Sequence, residues 1–273
     1  MTDDKLAVLI DADNVPYANV KEMLEEISKN GTPTIKRIYA DWTKPTVSGW
    51  KNVLLENAIT PIQQYSYTSG KNSSDSALII DAMDILYSEK VNGFCIVSSD
   101  SDFTRLATRL REAGMTVIGF GEKKTPKPFI SACDKFIYLE ILKVETVDNT
   151  VAKPTTKPRI KAEPLSKVDA ETIKLITESV DDLADESGWT FLANLGNFII
   201  KKQPDFDPRN FGFPKLLPLI KNIGKFEIDE RDTGVGNIRH IYLKQRIITE
   251  QLNAKTNSLH VKKQHPKKNR KRE

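Results

Sequence analysis

The chain of 273 residues contains only two cysteines and three histidines. Two cysteines cannot build a disulfide framework, and Cys95 lies in a short apolar run that predicts a buried thiol. None of the histidines (His240, His260 and His265) is close in sequence to a cysteine, so a zinc site is not expected.

Long hydrophobic runs are also absent. No run approaches the ~20 apolar residues that a membrane-spanning helix needs. The segment before the first apolar strand, residues 1–5, has no signal-peptide core, and we therefore expect a cytoplasmic protein. With 39% hydrophobic and 29% charged residues, the chain has enough apolar material for one large or two modest domains.

The net charge of +4 is unevenly distributed. Residues 246–273 hold nine Lys or Arg and two Asp or Glu, a balance of +7, which leaves −3 for the rest of the chain. This segment predicts a basic, disordered tail that either binds polyanions or only promotes solubility.

Residues 1–142 alternate short apolar segments with amphipathic ones. This β-α-β alternation predicts an α/β fold with a mainly parallel sheet, helices on both faces and right-handed crossovers. Residues 143–167 lose the apolar pattern and contain Pro154, Pro158 and Pro164, which is typical of an extended linker.

Residues 168–245 predict a small second domain. We expect helices over 168–186, 192–202 and 208–223, the last of them broken or bent by Pro214 and Pro218. Two apolar segments around a Gly-containing turn, 226–228 and 238–243, indicate a hairpin. Three helices followed by a hairpin are the pattern of a winged helix.

Acidic residues follow two of the predicted strands. Asp100 and Asp102 follow the apolar segment 94–97 after two serines, and Asp11 follows the first strand, 6–10. In open α/β sheets, ligands bind at the carboxyl ends of the strands. The two acidic strand ends can meet only if their strands are neighbours, and we predict that they are.

A further carboxylate, Asp75, opens a predicted helix after a polar loop and can reach the same edge. Clustered carboxylates are the ligands that Mg²⁺ and Mn²⁺ prefer, and without a cation they would repel one another. Asp75, Asp100 and Asp102 can equally be helix N-caps, and this alternative stays open. Asp81, in the same helix as Asp75, is a candidate to support the site.

Three motifs resemble the signatures of NYN domains, which are PIN-like ribonucleases of the LabA-like branch. The motifs are Leu9–Asn14, Lys71–Asp75 with Asp81, and Val97–Phe103, and the resemblance covers about residues 5–142. It implies a PIN-like Rossmannoid three-layer parallel sheet and metal-dependent hydrolysis of RNA. Asn72 stands where the family usually has a glycine after the lysine.

Matched by position, the resemblance implies a set of site residues. The implied catalytic and metal-binding carboxylates are Asp11, Asp75, Asp100 and Asp102. The implied supporting residues are Asn14, Ser98, Ser99 and Asp81. Lys71 is either a contact to a backbone phosphate or a solvated loop lysine.

The second domain resembles the OST-HTH, or LOTUS, domain through Trp189–Gly196, Phe206–Phe213 and Leu216–Leu217. The resemblance implies a winged helix-turn-helix that binds RNA or a protein partner. Its basic residues Arg209, Lys215 and Lys221 are predicted RNA contacts, or else solvated surface. Its aromatic residues are predicted to be core rather than a platform for bases.

Together these observations predict a metal-dependent ribonuclease, with an endonuclease favoured, that uses Mg²⁺ or Mn²⁺ and acts on RNA. The first domain would cut the phosphodiester and the second would position the RNA. The alternative is a non-catalytic RNA-binding regulator that uses the same fold as a scaffold. Oligomeric state and RNA target are not predicted.

Overall fold

The computed structural model describes residues 4–65, 73–142, 164–232, 234 and 239–246. Lys71, the linker up to residue 163 and the basic tail after Arg246 lie outside these described residues. Within the described ranges, no helix is both long enough and apolar enough to cross a membrane.

A six-stranded, fully parallel sheet forms the first domain, in the order β3-β2-β1-β4-β5-β6. Its strands are β1 (Lys5–Asp11), β2 (Thr32–Ala40), β3 (Thr60–Gln63), β4 (Gly93–Val97), β5 (Thr116–Gly121) and β6 (Lys135–Tyr138). The helices between them are α1 (Val20–Ile27), α2 (Trp50–Glu56), α3 (Ser73–Tyr87), α4 (Thr104–Glu112) and α5 (Lys127–Ala132). The short α5 was not predicted, because six residues carry too little periodicity to be recognised.

The central strands are buried on both faces, and this explains their continuous apolar sequences. In β1, Val8 and Ile10 pack with α1 and α2, whereas Leu9 packs with α3, α4 and α5 on the opposite face. The sheet therefore has helices on both sides, and the predicted three-layer, PIN-like α/β architecture is confirmed.

The prediction that the two strands with acidic ends are neighbours in the sheet is also confirmed. β1 pairs in parallel with β4, and Ile10 lies opposite Val97. The strand order reverses between these two strands, because β2 and β3 lie on one side and β5 and β6 on the other. The crevice at such a switch point is where open α/β sheets bind their ligands.

The second domain contains three helices and a three-stranded antiparallel sheet of order β7-β9-β8. Its elements are α6 (Ala170–Asp182), β7 (Thr190–Phe191), α7 (Leu192–Lys202), α8 (Leu216–Ile223), β8 (Phe226–Asp232) and β9 (Arg239–Gln245). The predicted helix-helix-helix-hairpin order is present, and the two-residue strand β7 adds an edge that the sequence did not predict.

Of the two alternatives for the helix predicted over 208–223, broken or bent at its prolines, the structure shows the broken one, with Pro214 between the two pieces. The segment forms a short 3₁₀ helix, Pro208–Phe211, which Gly212 ends with a left-handed backbone at φ 79°, and then α8. Pro218 lies in the first turn of α8, where a backbone N–H has no hydrogen-bond partner within the helix, so proline is tolerated there. The proline therefore belongs to a helix start rather than to a bend.

The two domains contact each other along the outer edge of β6. The Phe136 N–H donates to the Pro204 carbonyl at 2.8 Å. The Tyr138 hydroxyl donates to Asp205 Oδ2, also at 2.8 Å. The second domain thus covers an edge strand whose backbone would otherwise be open to pairing with another chain.

Candidate metal centre

Asp11 lies at the last position of β1 and is 1% exposed. Its Oδ2 accepts hydrogen bonds from Asn14 Nδ2 at 2.7 Å and from the Ser98 hydroxyl at 2.8 Å. Burial raises the pKa of this carboxyl, and the bonds from Asn14 and Ser98 oppose that rise. The structure thus places Asn14 and Ser98, two of the predicted supporting residues, against Asp11.

Three other carboxylates converge beside it. Oxygen atoms of Asp75, Asp100 and Asp102 all lie within 4.8 Å of one another. Asp75 comes from the first turn of α3, and the other two come from the turn after β4. Asp11 is not a member of this three-carboxylate group, although its charge acts on Asp75.

The alternative of helix capping also holds for one member. Asp100 is the N-cap of the short 3₁₀ helix Ser101–Phe103, and its Oδ1 accepts the Asp102 N–H at 2.9 Å. The Asp100 N–H in turn donates to the Ser98 hydroxyl at 3.1 Å. Capping and clustering are therefore compatible, because the cap fixes the orientation of the Asp100 carboxylate within the group.

The electrostatics of the group are unfavourable without a cation. Burial, followed by the negative charges of Asp11, Asp100 and Asp102, raises the pKa of Asp75 to about 6. Clustered carboxylate oxygens are the ligand set that hard divalent cations such as Mg²⁺ and Mn²⁺ select. The donor set therefore fits the predicted ion, and a bound cation would offset the repulsion.

Replacement of Asp75 by Asn should raise the stability of the metal-free protein at neutral pH. Because the folded pKa of about 6 lies above the usual 3.8, the stability of the native chain falls as pH rises through that window. The variant should not show this fall, so its free energy of unfolding should exceed that of the native chain by up to about 3 kcal/mol once the pH is above the window. Thermal midpoints in EDTA at about pH 4 and about pH 8 measure this, and an equal gain at both would contradict it.

Two predicted supporting residues lie elsewhere. The Asp81 carboxylate is bound by Arg37 and by the Tyr39 hydroxyl rather than by a member of the acidic group. The Ser99 hydroxyl accepts the Glu122 N–H at 2.9 Å and so holds the loop after β5. Asp81 is separated from the site because it is six residues after Asp75, and that spacing puts it on another face of α3.

The predicted RNA contacts also differ in their surroundings. Lys215 and Lys221 are exposed on the second domain, as an RNA contact requires. Arg209 is not exposed in this way, because its guanidinium binds Asp207 and, through two bonds of 2.9 Å, Glu26 of α1. Arg209 therefore connects the two domains in this structure, and its guanidinium is engaged by two carboxylates.

The expectation that the aromatic residues are core holds only for some of them. Phe206 is buried in the core of the second domain. Trp189 and Phe191 are half-buried and lie outside that core. The Arg231 guanidinium is 5.3 Å from the Trp189 ring centroid and 4.0 Å from that of Tyr242. These rings pack on the outer face of the small sheet, since Phe191 lies opposite Tyr242 in the pairing register.

Glu26 is a residue that sequence reasoning missed. It lies on the apolar face of α1 between Met23 and Ile27 and is 5% exposed. A lone acidic residue within an apolar stripe is the signal that could have shown it, because a buried carboxylate requires a cationic partner.

Comparison with known families agrees with this architecture. The NYN domain model matches residues 5–140, and the OST-HTH/LOTUS domain model matches residues 163–238. No curated protein matches the chain.

Two solved structures are similar to part of this chain. A protein of unknown function from Vibrio parahaemolyticus is 20% identical, and the match covers 49% of this chain and 91% of that one with a TM-score of 0.42. An uncharacterized protein from Nitrosomonas europaea is 28% identical, with coverage of 37% and 93% and a TM-score of 0.28. On the two family matches, the chain carries an NYN domain followed by an OST-HTH/LOTUS domain.

Proposed function

We propose that the protein is a metal-dependent ribonuclease, with endonucleolytic cleavage favoured, whose first domain hydrolyses RNA phosphodiester bonds. The observation that carries this proposal is the convergence of Asp75, Asp100 and Asp102 in the crevice between β1 and β4. The NYN domain belongs to a superfamily of nucleases, and the OST-HTH/LOTUS domain is an RNA-binding domain. RNA is therefore the proposed partner.

The chain's own residues would hold the reactive arrangement. Asp75, Asp100 and Asp102 are the proposed ligands of Mg²⁺ or Mn²⁺, and Asp11 is a further candidate beside them. When bound, the cation would polarise a phosphoryl oxygen and neutralise part of the phosphate charge. Asn14 and Ser98 hold the Asp11 carboxylate at its place in the crevice.

The second domain would supply affinity for RNA. A linked second binding site raises the effective concentration of the substrate at the first without any new contact there. Lys215 and Lys221, which are exposed, remain the proposed phosphate contacts of this domain. Lys71 and the basic tail keep the roles that the sequence predicts for them, since they lie outside the described residues.

Incubation of the purified chain with end-labelled RNA tests the proposal. Cleavage is expected with Mn²⁺ or Mg²⁺ and should stop in EDTA, because the repelling carboxylates need a cation to bind a phosphodiester. A ladder of internal fragments would identify endonucleolytic cutting. RNA that is bound but remains intact with either metal would contradict the proposal and favour the non-catalytic regulator.

A further inference from the structure

A cleft of about 330 Å³ lies between the two domains. The first domain contributes Lys123 and Lys127 to its walls, and the second contributes Lys202 and Asn210. The volume is within the range of ligand-binding sites, which begins at about 300 Å³. The site is composite, because neither domain has all of these walls by itself.

The cleft begins beside the acidic edge of the sheet. Lys123 follows Glu122, whose N–H donates to the Ser99 hydroxyl at 2.9 Å, and Ser99 precedes Asp100 in the chain. The Lys123 N–H donates to Glu140 Oε1 at 2.8 Å, which fixes this loop. The loop that carries Lys123 is thus connected to the segment that carries Asp100.

The lysines in the cleft differ in how strongly they are already engaged. Lys123 Nζ donates to the Leu165 carbonyl at 2.5 Å, and Lys202 Nζ forms an ion pair with Asp182 at 2.7 Å. Lys127 is exposed at the start of α5 and forms no ion pair among the described residues. Lys127 is therefore the cation most available to an added anion.

The acidic residues around the cleft are mostly engaged in other bonds. Asp169 caps α6 by accepting the Thr172 N–H at 2.8 Å, and Asp205 accepts the Tyr138 hydroxyl. Glu171 is exposed at the outer margin. Asn210 Oδ1 is buried and has no hydrogen-bond partner among the described residues, but it is an acceptor and does not recognise a phosphate.

Glu26 and Arg209 contribute to the docking of the two domains that form the cleft. The two Arg209–Glu26 bonds of 2.9 Å form a bidentate pair across the domain boundary, and the Glu26 side chain is 6% exposed. Asp207 binds the same guanidinium and fixes its orientation. Loss of this pair would weaken the docking, although the Phe136–Pro204 and Tyr138–Asp205 bonds would remain.

We propose that the interdomain cleft binds a short single-stranded segment of RNA through its phosphates, between the acidic crevice and the second domain. This inference rests on the proposed function for the identity of the ligand. Single strands fit because stacked duplex RNA cannot enter a cleft of this size, and lysines recognise phosphate without regard to sequence. Arg209 is then a positioning residue, which builds the cleft without touching the RNA.

The salt dependence of RNA binding tests this proposal in the full chain. The background is Asp100→Asn, so that RNA stays intact, and the probe is a fluorescent single-stranded RNA. Lys127→Gln should reduce the slope of log Kd against log salt by about 0.7, the value for one lost phosphate contact on a single strand. The matched control is Lys90→Gln, since Lys90 is exposed before β4 at the opposite edge of the sheet.

A double-mutant cycle adds a second readout. If the cleft exists only when the domains are docked, Arg209→Gln should remove the effect of Lys127→Gln, so that the two changes are not additive. An unchanged slope for Lys127→Gln, or a slope equal to that of Lys90→Gln, would overturn the proposal. This test measures binding, so it can be carried out even if the native chain does not cleave RNA. If the native chain cleaves RNA but Lys127→Gln leaves the salt slope unchanged, the cleft proposal is rejected and the proposed nuclease function is not.

Discussion

Asp100→Asn should abolish RNA cleavage and leave the chain folded. Asn retains the side-chain oxygen that accepts the Asp102 N–H at 2.9 Å, so the cap of the 3₁₀ helix survives. The substitution removes one negative charge and one anionic oxygen from the three-carboxylate group. A hard divalent cation loses affinity with each carboxylate removed, and EDTA should have the same effect on the native chain.

Asp84→Asn is the matched control for this prediction. Asp84 is an exposed carboxylate on α3, the helix that carries Asp75, and it is not part of the acidic group. This control should cleave RNA at the native rate. Cleavage assays after identical purification of the three proteins make the comparison, and cleavage by folded Asp100→Asn at the native rate would refute the catalytic assignment.

The metal-free stability of Asp100→Asn gives an independent check. The Asp100 charge is among the causes that raise the pKa of Asp75, so its removal should relieve repulsion in the group. We therefore expect a thermal midpoint in EDTA at least as high as that of the native chain. A lower midpoint would mean that Asp100 stabilises the fold through contacts other than the group.

Arg209→Gln should destabilise the folded chain by about 3 kcal/mol, because removal of one partner from a largely buried ion pair leaves the other charge uncompensated. The uncompensated group is Glu26, whose side chain is 6% exposed, while the Arg209 side chain itself is 27% exposed. Lys29 Nζ remains 2.5 Å from Glu26 Oε2 and compensates part of its charge. The loss of stability should therefore lie at the lower end of the expected range.

Arg239→Gln is the control for the effect of an exposed pair. Arg239 binds Glu230 at 3.5 Å, and the two side chains are 66% and 43% exposed. Exposed pairs contribute little to stability, so this variant should be close to the native chain in urea unfolding followed by circular dichroism. Equal losses for Arg209→Gln and Arg239→Gln would show that the Glu26 pair has no special weight.

The same pair predicts a dependence on acid pH. Burial disfavours the Glu26 carboxylate, but hydrogen bonds from Arg209 and Lys29 outweigh it and lower its pKa to about 2. A depressed folded pKa contributes stability above the unfolded value of 4.5 that is lost as pH falls toward 2. Arg209→Gln should therefore lose less stability than the native chain over this window, and parallel curves would contradict this.

Much of the candidate site followed from the sequence. Asp11 and Asp100 each come at most three residues after a continuous apolar segment, and such a segment is a buried strand in a parallel sheet. The strands of a parallel sheet all end at the same edge. The two acidic strand ends therefore lie close together once β1 and β4 are neighbours, as they are in the structure. Asp75 was predicted by the same reasoning, because its helix begins at the same edge.

Other assignments failed because they depend on contacts between distant residues. Asp81 shares a helix with Asp75, but its partners Arg37 and Tyr39 come from β2, and no local pattern specifies them. Trp189 and Phe191 are apolar in sequence and were assigned to the core. Whether a ring enters the core or covers the outer face of a sheet depends on the register with β9.

By itself, the sequence determined the parallel sheet, the acidic edge and the order of strands and helices apart from α5 and β7. These features follow from periodicity and from the rule that successive parallel strands share an edge. Only the tertiary structure decided that Arg209 meets Glu26, 183 residues away, and that a cleft with lysines lies between the domains. The position of Glu26 in an apolar stripe indicates that it needs a cationic partner, but no sequence pattern identifies that partner, because the pairing depends on how two folded surfaces pack.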